Sequence, residues 1–172
     1  MKYQLLSTLL CLGLSTLSYA EQLTVNGDKW LRTANSHYAY YAEGSGTHDI
    51  LAWLSLLDDK IDFRLVWKDE KLCSNLQNKP TNNTLDNAII LVNNRKVKFS
   101  YLCDSNKQVH FTPENQSRDG LIHILKSFRR ARGNPVKFVY ENAQTPDAVY
   151  MVPSEGFTAF YAELKEATKS AL

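Results

Sequence analysis

Apolar residues at Ile61, Phe63, Leu65 and Trp67 alternate with Asp62, Arg64 and Val66. A period of two gives a strand with one buried face. Residues 88–93 are rich in β-branched and aliphatic side chains and run into Asn93-Asn94, and residues 97–103 alternate again. Two such runs around an Asn-Asn pair predict a hairpin, because Asn tolerates the positive φ that tight hairpin turns need. A second turn over 104–107 leads to a third short strand, Gln108–Thr112, completing a meander. After Pro113 the rhythm changes. Leu121, Ile124, Leu125 and Phe128 fall at helical spacing, and Gly133-Asn134-Pro135 ends the run. Two more strands are expected over Lys137–Tyr140 and Ala148–Val152, joined by a turn over 142–146. Ser154 stands as the N-cap of a closing amphipathic helix over 155–169, whose apolar side carries Phe157, Phe160, Tyr161 and Leu164. Ile50–Leu57 is apolar almost throughout and bounded by Asp49 and Asp58, which favours a short buried helix over an inner strand. Strands with helices interspersed late predict an α+β fold: a largely antiparallel β-sheet or sandwich with two amphipathic helices.

The first twenty residues read differently from the rest. Met1-Lys2 gives a minimal positive start, Leu5–Leu17 is an apolar core of about 13 residues, and Leu17-Ser18-Tyr19-Ala20 offers small residues where a signal peptidase cuts. A bilayer span needs roughly 20 residues, so residues 1–20 are expected to be a signal peptide cleaved near Ala20 rather than an anchor. Cys11 follows Leu10 in the middle of the apolar core, which does not fit lipidation. No later stretch is apolar enough to span a membrane, and 21–172 reads as one exported domain, periplasmic or secreted.

Export changes the meaning of the two cysteines that remain, Cys73 and Cys103. An even count in an oxidising compartment argues for one disulfide. Neither a CxxC pair nor a His at ligand spacing accompanies them, so a zinc site is a poor reading and no metal or other cofactor is expected.

Charge alters the picture in one place. Between Arg95 and Lys137 ten basic residues face three acidic ones, whereas the chain as a whole is close to balanced at +2. On the helix that ends this stretch Lys126 and Arg130 stack on one side of the apolar stripe, with Arg129 at its border. Lys126, Arg129 and Arg130 are therefore the candidate binding residues, for another protein or for an anionic envelope component such as a lipid headgroup or lipopolysaccharide. The plainer reading is a solvated face whose basic stems snorkel over the core edge.

Catalytic signals are absent from the pattern. His37, His48, His110 and His123 show no HExxH spacing, and His123 falls on the polar, solvated side of its helix. Ser45, His48 and Asp49 have the right chemistry for a triad but share one short loop, and no GxSxG occurs. Gly44-Ser45-Gly46 reads as a flexible turn, with no Lys-Ser/Thr to make a phosphate loop. Tyr38 and Tyr40 would share one face of a strand beside His37 and Tyr41, more consistent with a covered sheet face than with base stacking; nucleic acid is not an expected partner.

The order in the second half runs Phe99-Ser100-Tyr101-Leu102-Cys103-Asp104, a turn, a short strand, an amphipathic helix, two strands, then Pro153, Ser154, Gly156 and Phe157 leading into a final helix. Over residues 60–168 this resembles the invasion-associated locus B family of exported bacterial proteins. The resemblance implies a β-rich, non-enzymatic periplasmic or surface-associated protein linked to host-cell colonisation, and it supplies no catalytic residues. The expectation is thus an exported binding or accessory protein. Two alternatives stand beside it: an immunity or inhibitor protein neutralising an envelope-targeting toxin or enzyme, and a hydrolase whose site assembles from distant residues.

Overall fold

In a computed structural model, residues 27–34, 38–77, 86–114, 118–142 and 145–170 are described. The expected signal peptide, Cys11 and His37 lie outside them. All six strands read from the sequence are present. They are β4 (Lys60–Lys68), β5 (Asp86–Val92), β6 (Arg95–Cys103), β7 (Gln108–Pro113), β8 (Val136–Asn142) and β9 (Thr145–Val152). Asn93 and Asn94 take φ of 46° and 67°, as the β5–β6 hairpin requires. Ahead of these come β1 (Leu31–Arg32), β2 (Ala39–Gly46) and β3 (Ile50–Leu57).

Ile50–Leu57 is therefore a strand and not the helix its unbroken hydrophobicity suggests. Its inward residues Ile50, Ala52 and Leu54 are buried in the core, while Leu51, Trp53 and Ser55 face outward and are only half-buried. Apolar side chains on both faces erase the period-two signal.

The α+β sheet or sandwich expected from the sequence is also corrected. Strands run in the antiparallel order β2-β3-β4-β7-β6-β5-β8-β9, and β9 pairs back onto β2 to close an eight-stranded barrel; β1 lies on the earlier part of β2. Closure removes the sheet edges that a sandwich would have to protect. Among the described residues three helices accompany the barrel, not two: α1 (Glu70–Gln77), α2 (Arg118–Arg130) and α3 (Phe157–Ser170). Asp69 caps α1 through its Oδ1, which accepts from Leu72 N at 2.8 Å. α1 follows β4 at the upper end of the barrel, and the Cys73–Cys103 disulfide ties it to the end of β6. α2 and α3 close the lower end.

Closure also explains Gly44 and Gly46, which are strand residues and not a flexible turn. A Cβ on Gly46 would lie 2.0 Å from Val149 O, and one on Gly44 would lie 2.6 Å from Ile50 Cγ2. The backbone of β9 passes too close for any larger residue, so the pairs Ser45–Met151 and Gly46–Tyr150 form only with glycine here.

Aromatic rings fill the lumen in two layers. In the upper layer Trp67 stacks on Phe111 with centroids 4.1 Å apart, and Tyr101, Tyr140 and Tyr150 surround the pair. In the lower one Phe63 and Phe138 meet Phe128 of α2, which stacks on Phe157 of α3 at 4.7 Å with Trp30 edge-on to both. Trp30 Nε1 donates to Pro153 O at 2.8 Å. Ser154 does not cap α3 with its side chain: its Oγ accepts from Gly133 N at 3.1 Å, joining the exit of α2 to the entry of α3. Outward strand positions carry Arg64, Lys98, Lys137 and Glu141, the reverse of the lipid-facing pattern of a membrane barrel. Among the described residues no helix is long and apolar enough to cross a membrane.

Candidate functional site

The helix that the charge pattern singled out sits with its apolar stripe (Ile124, Leu125, Phe128) in the lower core. Its other side faces the β5–β6 turn. That turn is fixed to β8, because Asn93 N donates to Lys137 O at 2.9 Å and Asn93 Oδ1 accepts from Lys137 N at 3.0 Å. His123 is half-buried between the two, with Nε2 2.9 Å from Val92 O. A carbonyl only accepts, so Nε2 carries the proton and His123 is a structural clamp, not the solvated residue expected from the sequence.

Between α2 and the turn lies a cleft of about 530 Å³, and Arg95, Lys126 and Arg130 converge on it against the single carboxylate of Asp119. All three basic groups are exposed, and none makes an ion pair among the described residues. The i, i+4 spacing of Lys126 and Arg130 sets them one turn apart, and the hairpin brings Arg95 to face them. Ile122, 40 % exposed, forms an apolar lip on the same line of the helix. Lys96 and Lys98 extend the positive charge along the outside of β6, and Ile89, the cross-strand partner of Lys98, is 42 % exposed.

The structure divides the sequence-derived site. Lys126 and Arg130 belong to the cleft. Arg129 does not: its guanidinium lies 5.5 Å from the ring centroid of Tyr161 on α3, where it bridges two helices. Arg95 was missed because it lies 31 residues upstream of Lys126; it becomes a neighbour only once β5 and β6 pair against α2.

The other candidates separate as follows. Ser45, His48 and Asp49 are exposed around the β2–β3 turn and share no hydrogen bond among the described residues. Tyr40 is fully buried and stacks on Phe160 at 4.3 Å, while Tyr38 stays exposed. Burial, together with the nearby Glu163, pushes the Tyr40 hydroxyl up to about 12. His110 Nε2 is 3.2 Å from Asp104 Oδ2. The Asp104 carboxyl is held below its usual range first by the backbone N–H of Gln108, and also by His110 and the N–H of Asn106. No group of three or more potential metal ligands occurs among the described residues.

Fold and site thus define a closed antiparallel barrel with a helical plug and a basic cleft at the plug's edge. No family model matches the chain, and neither a curated protein nor a solved structure is significantly similar to it.

Proposed function

We propose that this protein is an exported, non-enzymatic binding protein that holds an anionic, phosphate-bearing envelope surface in the cleft under α2. The convergence of Arg95, Lys126 and Arg130 without an ion-pair partner among the described residues carries this reading. Uncompensated guanidinium and ammonium groups around a hollow recognise phosphate oxygens, the guanidinium by two parallel bonds. The apolar lip at Ile122 and the exposed Ile89 among lysines favour a lipid headgroup region over an acidic protein, since cations next to exposed aliphatic side chains match a membrane interface. Each basic residue near an anionic surface contributes about 1 kcal/mol. Lys126→Glu with Arg130→Glu therefore lowers the affinity for phosphatidylglycerol vesicles at least about tenfold, whereas Arg129→Ala leaves it near wild type. Flotation of the mature chain with anionic and neutral vesicles at two salt concentrations measures this. Equal binding to both vesicle types, or indifference to the double reversal, rules the reading out.

One observation favours a second reading, that of a hydrolase. His110 is paired with Asp104 and lines a hollow on the outer face of the barrel. An Asp-oriented imidazole can act as a general base. Loss of a hydrolytic activity in His110→Ala, with the fold intact, is the result that would replace the first reading by this one.

A further inference from the structure

The hollow beside His110 is larger than the basic cleft, at about 870 Å³, and it opens on the outside of β2, β3, β4 and β7. β3 and β5 stand four places apart in the ring of eight strands, so this groove is on the opposite wall from the cleft. Cross-strand pairing arranges its side chains in rows. Tyr41, Trp53 and Arg64 form one row, and Glu43, Leu51, Val66 and His110 form the next. Lys68 and Gln108 pair beyond them. From Arg64 to Lys68 the groove follows the strand for about 13 Å.

Three features define what fits. The first is a ring platform. Trp30 and Trp67 are buried, but Trp53 is half-exposed in the groove, with Tyr41 at 6.0 Å and tilted 41° to it. The second is a positioned guanidinium. Arg64 Nε donates to Asp62 Oδ2 at 2.7 Å, and its terminal nitrogens have no partner among the described residues. Asp62 fixes the side chain while that outer edge stays available for a two-point contact with a carboxylate. The third is polarity across the groove. Glu43 and Asp49 line one side and only accept hydrogen bonds, whereas Arg64, Lys68 and His110 line the other.

A polyphosphate backbone meets repulsion from Glu43 and Asp49, and a wholly apolar ligand leaves both walls unmatched. A sugar ring has an apolar C–H face for the indole and hydroxyls that donate to carboxylates. If it also carries a carboxylate, Arg64 is answered too. We propose that this groove binds an acidic oligosaccharide, with a ring on Trp53 and its carboxylate on Arg64. Its volume is that of a small-molecule site, and the site works independently of the cleft under α2.

Titration of the mature chain with a tetrasaccharide carrying a single uronate, its methyl ester and neutral maltotetraose tests this, read by calorimetry and by tryptophan fluorescence. The acid is expected to bind at least about tenfold tighter than the ester, the difference made by a charge-assisted bidentate contact. Arg64→Gln brings the acid down to the level of the ester and leaves the ester unchanged. Trp53→Ala loses both ligands, and Trp53→Phe restores them in part; both variants must keep the wild-type melting temperature. Lys126→Glu with Arg130→Glu changes nothing. Absence of saturable binding of the acid up to millimolar concentration, equal affinity for acid and ester, or unaltered binding by Arg64→Gln overturns the proposal. So does loss of binding in the Lys126/Arg130 variant, which would place the saccharide in the other cleft.

Discussion

Reducing the Cys73–Cys103 disulfide, with no change of sequence, isolates what the crosslink does for the barrel. The two cysteines are 30 residues apart, and the loop between them contains half of α1, all of β5 and most of β6. In the chain-entropy account a closed loop of that length withholds about 3.7 kcal/mol of freedom from the unfolded chain. A chain of this size shifts its melting point by about 2–4 °C per kcal/mol, so reduction should lower it by about 7–15 °C. Cys73 is fully buried, and the thiols keep almost the same volume as the bridge, so no cavity contributes. The loss should come with a steeper urea dependence, because the reduced unfolded chain exposes more surface. It should also be uneven. Among the described residues α1 packs mainly on the upper rims of β6 and β7, so its amides should exchange first while the lumen holds. Urea titration of oxidised and reduced protein, with hydrogen exchange resolved over Glu70–Gln77, measures both effects. A melting point within 2 °C of the oxidised protein, or loss of protection in the lumen together with α1, would refute the reasoning.

Gly46→Ala drives a methyl group into Val149 O and should cost at least about 2 kcal/mol, seen as a lower urea midpoint and as faster exchange at the β2–β9 seam; near-wild-type stability would contradict the close approach. Tyr150→Phe should stabilise the fold by about 1 kcal/mol, because the Tyr150 hydroxyl is buried without a partner among the described residues and burial also pushes its pKa up. Calorimetric melting decides this, and a destabilised variant means that the hydroxyl is satisfied in solution. Arg32 donates twice to Glu163 at 2.7 Å and holds its carboxyl below the ordinary 4.5. A depressed pKa adds stability above the ordinary carboxylate range and loses it as pH falls through the folded value. The small advantage of wild type over Glu163→Gln should thus be flat above the ordinary carboxylate range and fade as pH falls below it. An advantage that grew in acid would show the sign to be wrong.

What the sequence disclosed and what it withheld follow from the range of the interactions involved. The Asn93-Asn94 hairpin, the helical stripe of Leu121–Phe128 and the stop at Gly133 are written within a dozen residues, and all of them appear in the fold. Barrel closure is not local. It depends on Gly44 and Gly46 meeting Met151 and Tyr150 more than a hundred residues later, and two glycines around a serine look locally like a turn. β3 was unreadable for a related reason, since the groove on its outer face keeps Leu51 and Trp53 apolar where a solvated strand would carry polar side chains. The outward Trp53, in a run that breaks the expected alternation, lines a groove and was misread as core. The basic cleft was half legible. The helix showed Lys126 and Arg130, but its spacing alone could not separate Arg129, which turns to Tyr161, or recruit Arg95 from the hairpin. Both grooves are thus assembled across strand pairings: a period along the chain shows which side a residue faces, and only the register shows what it faces there.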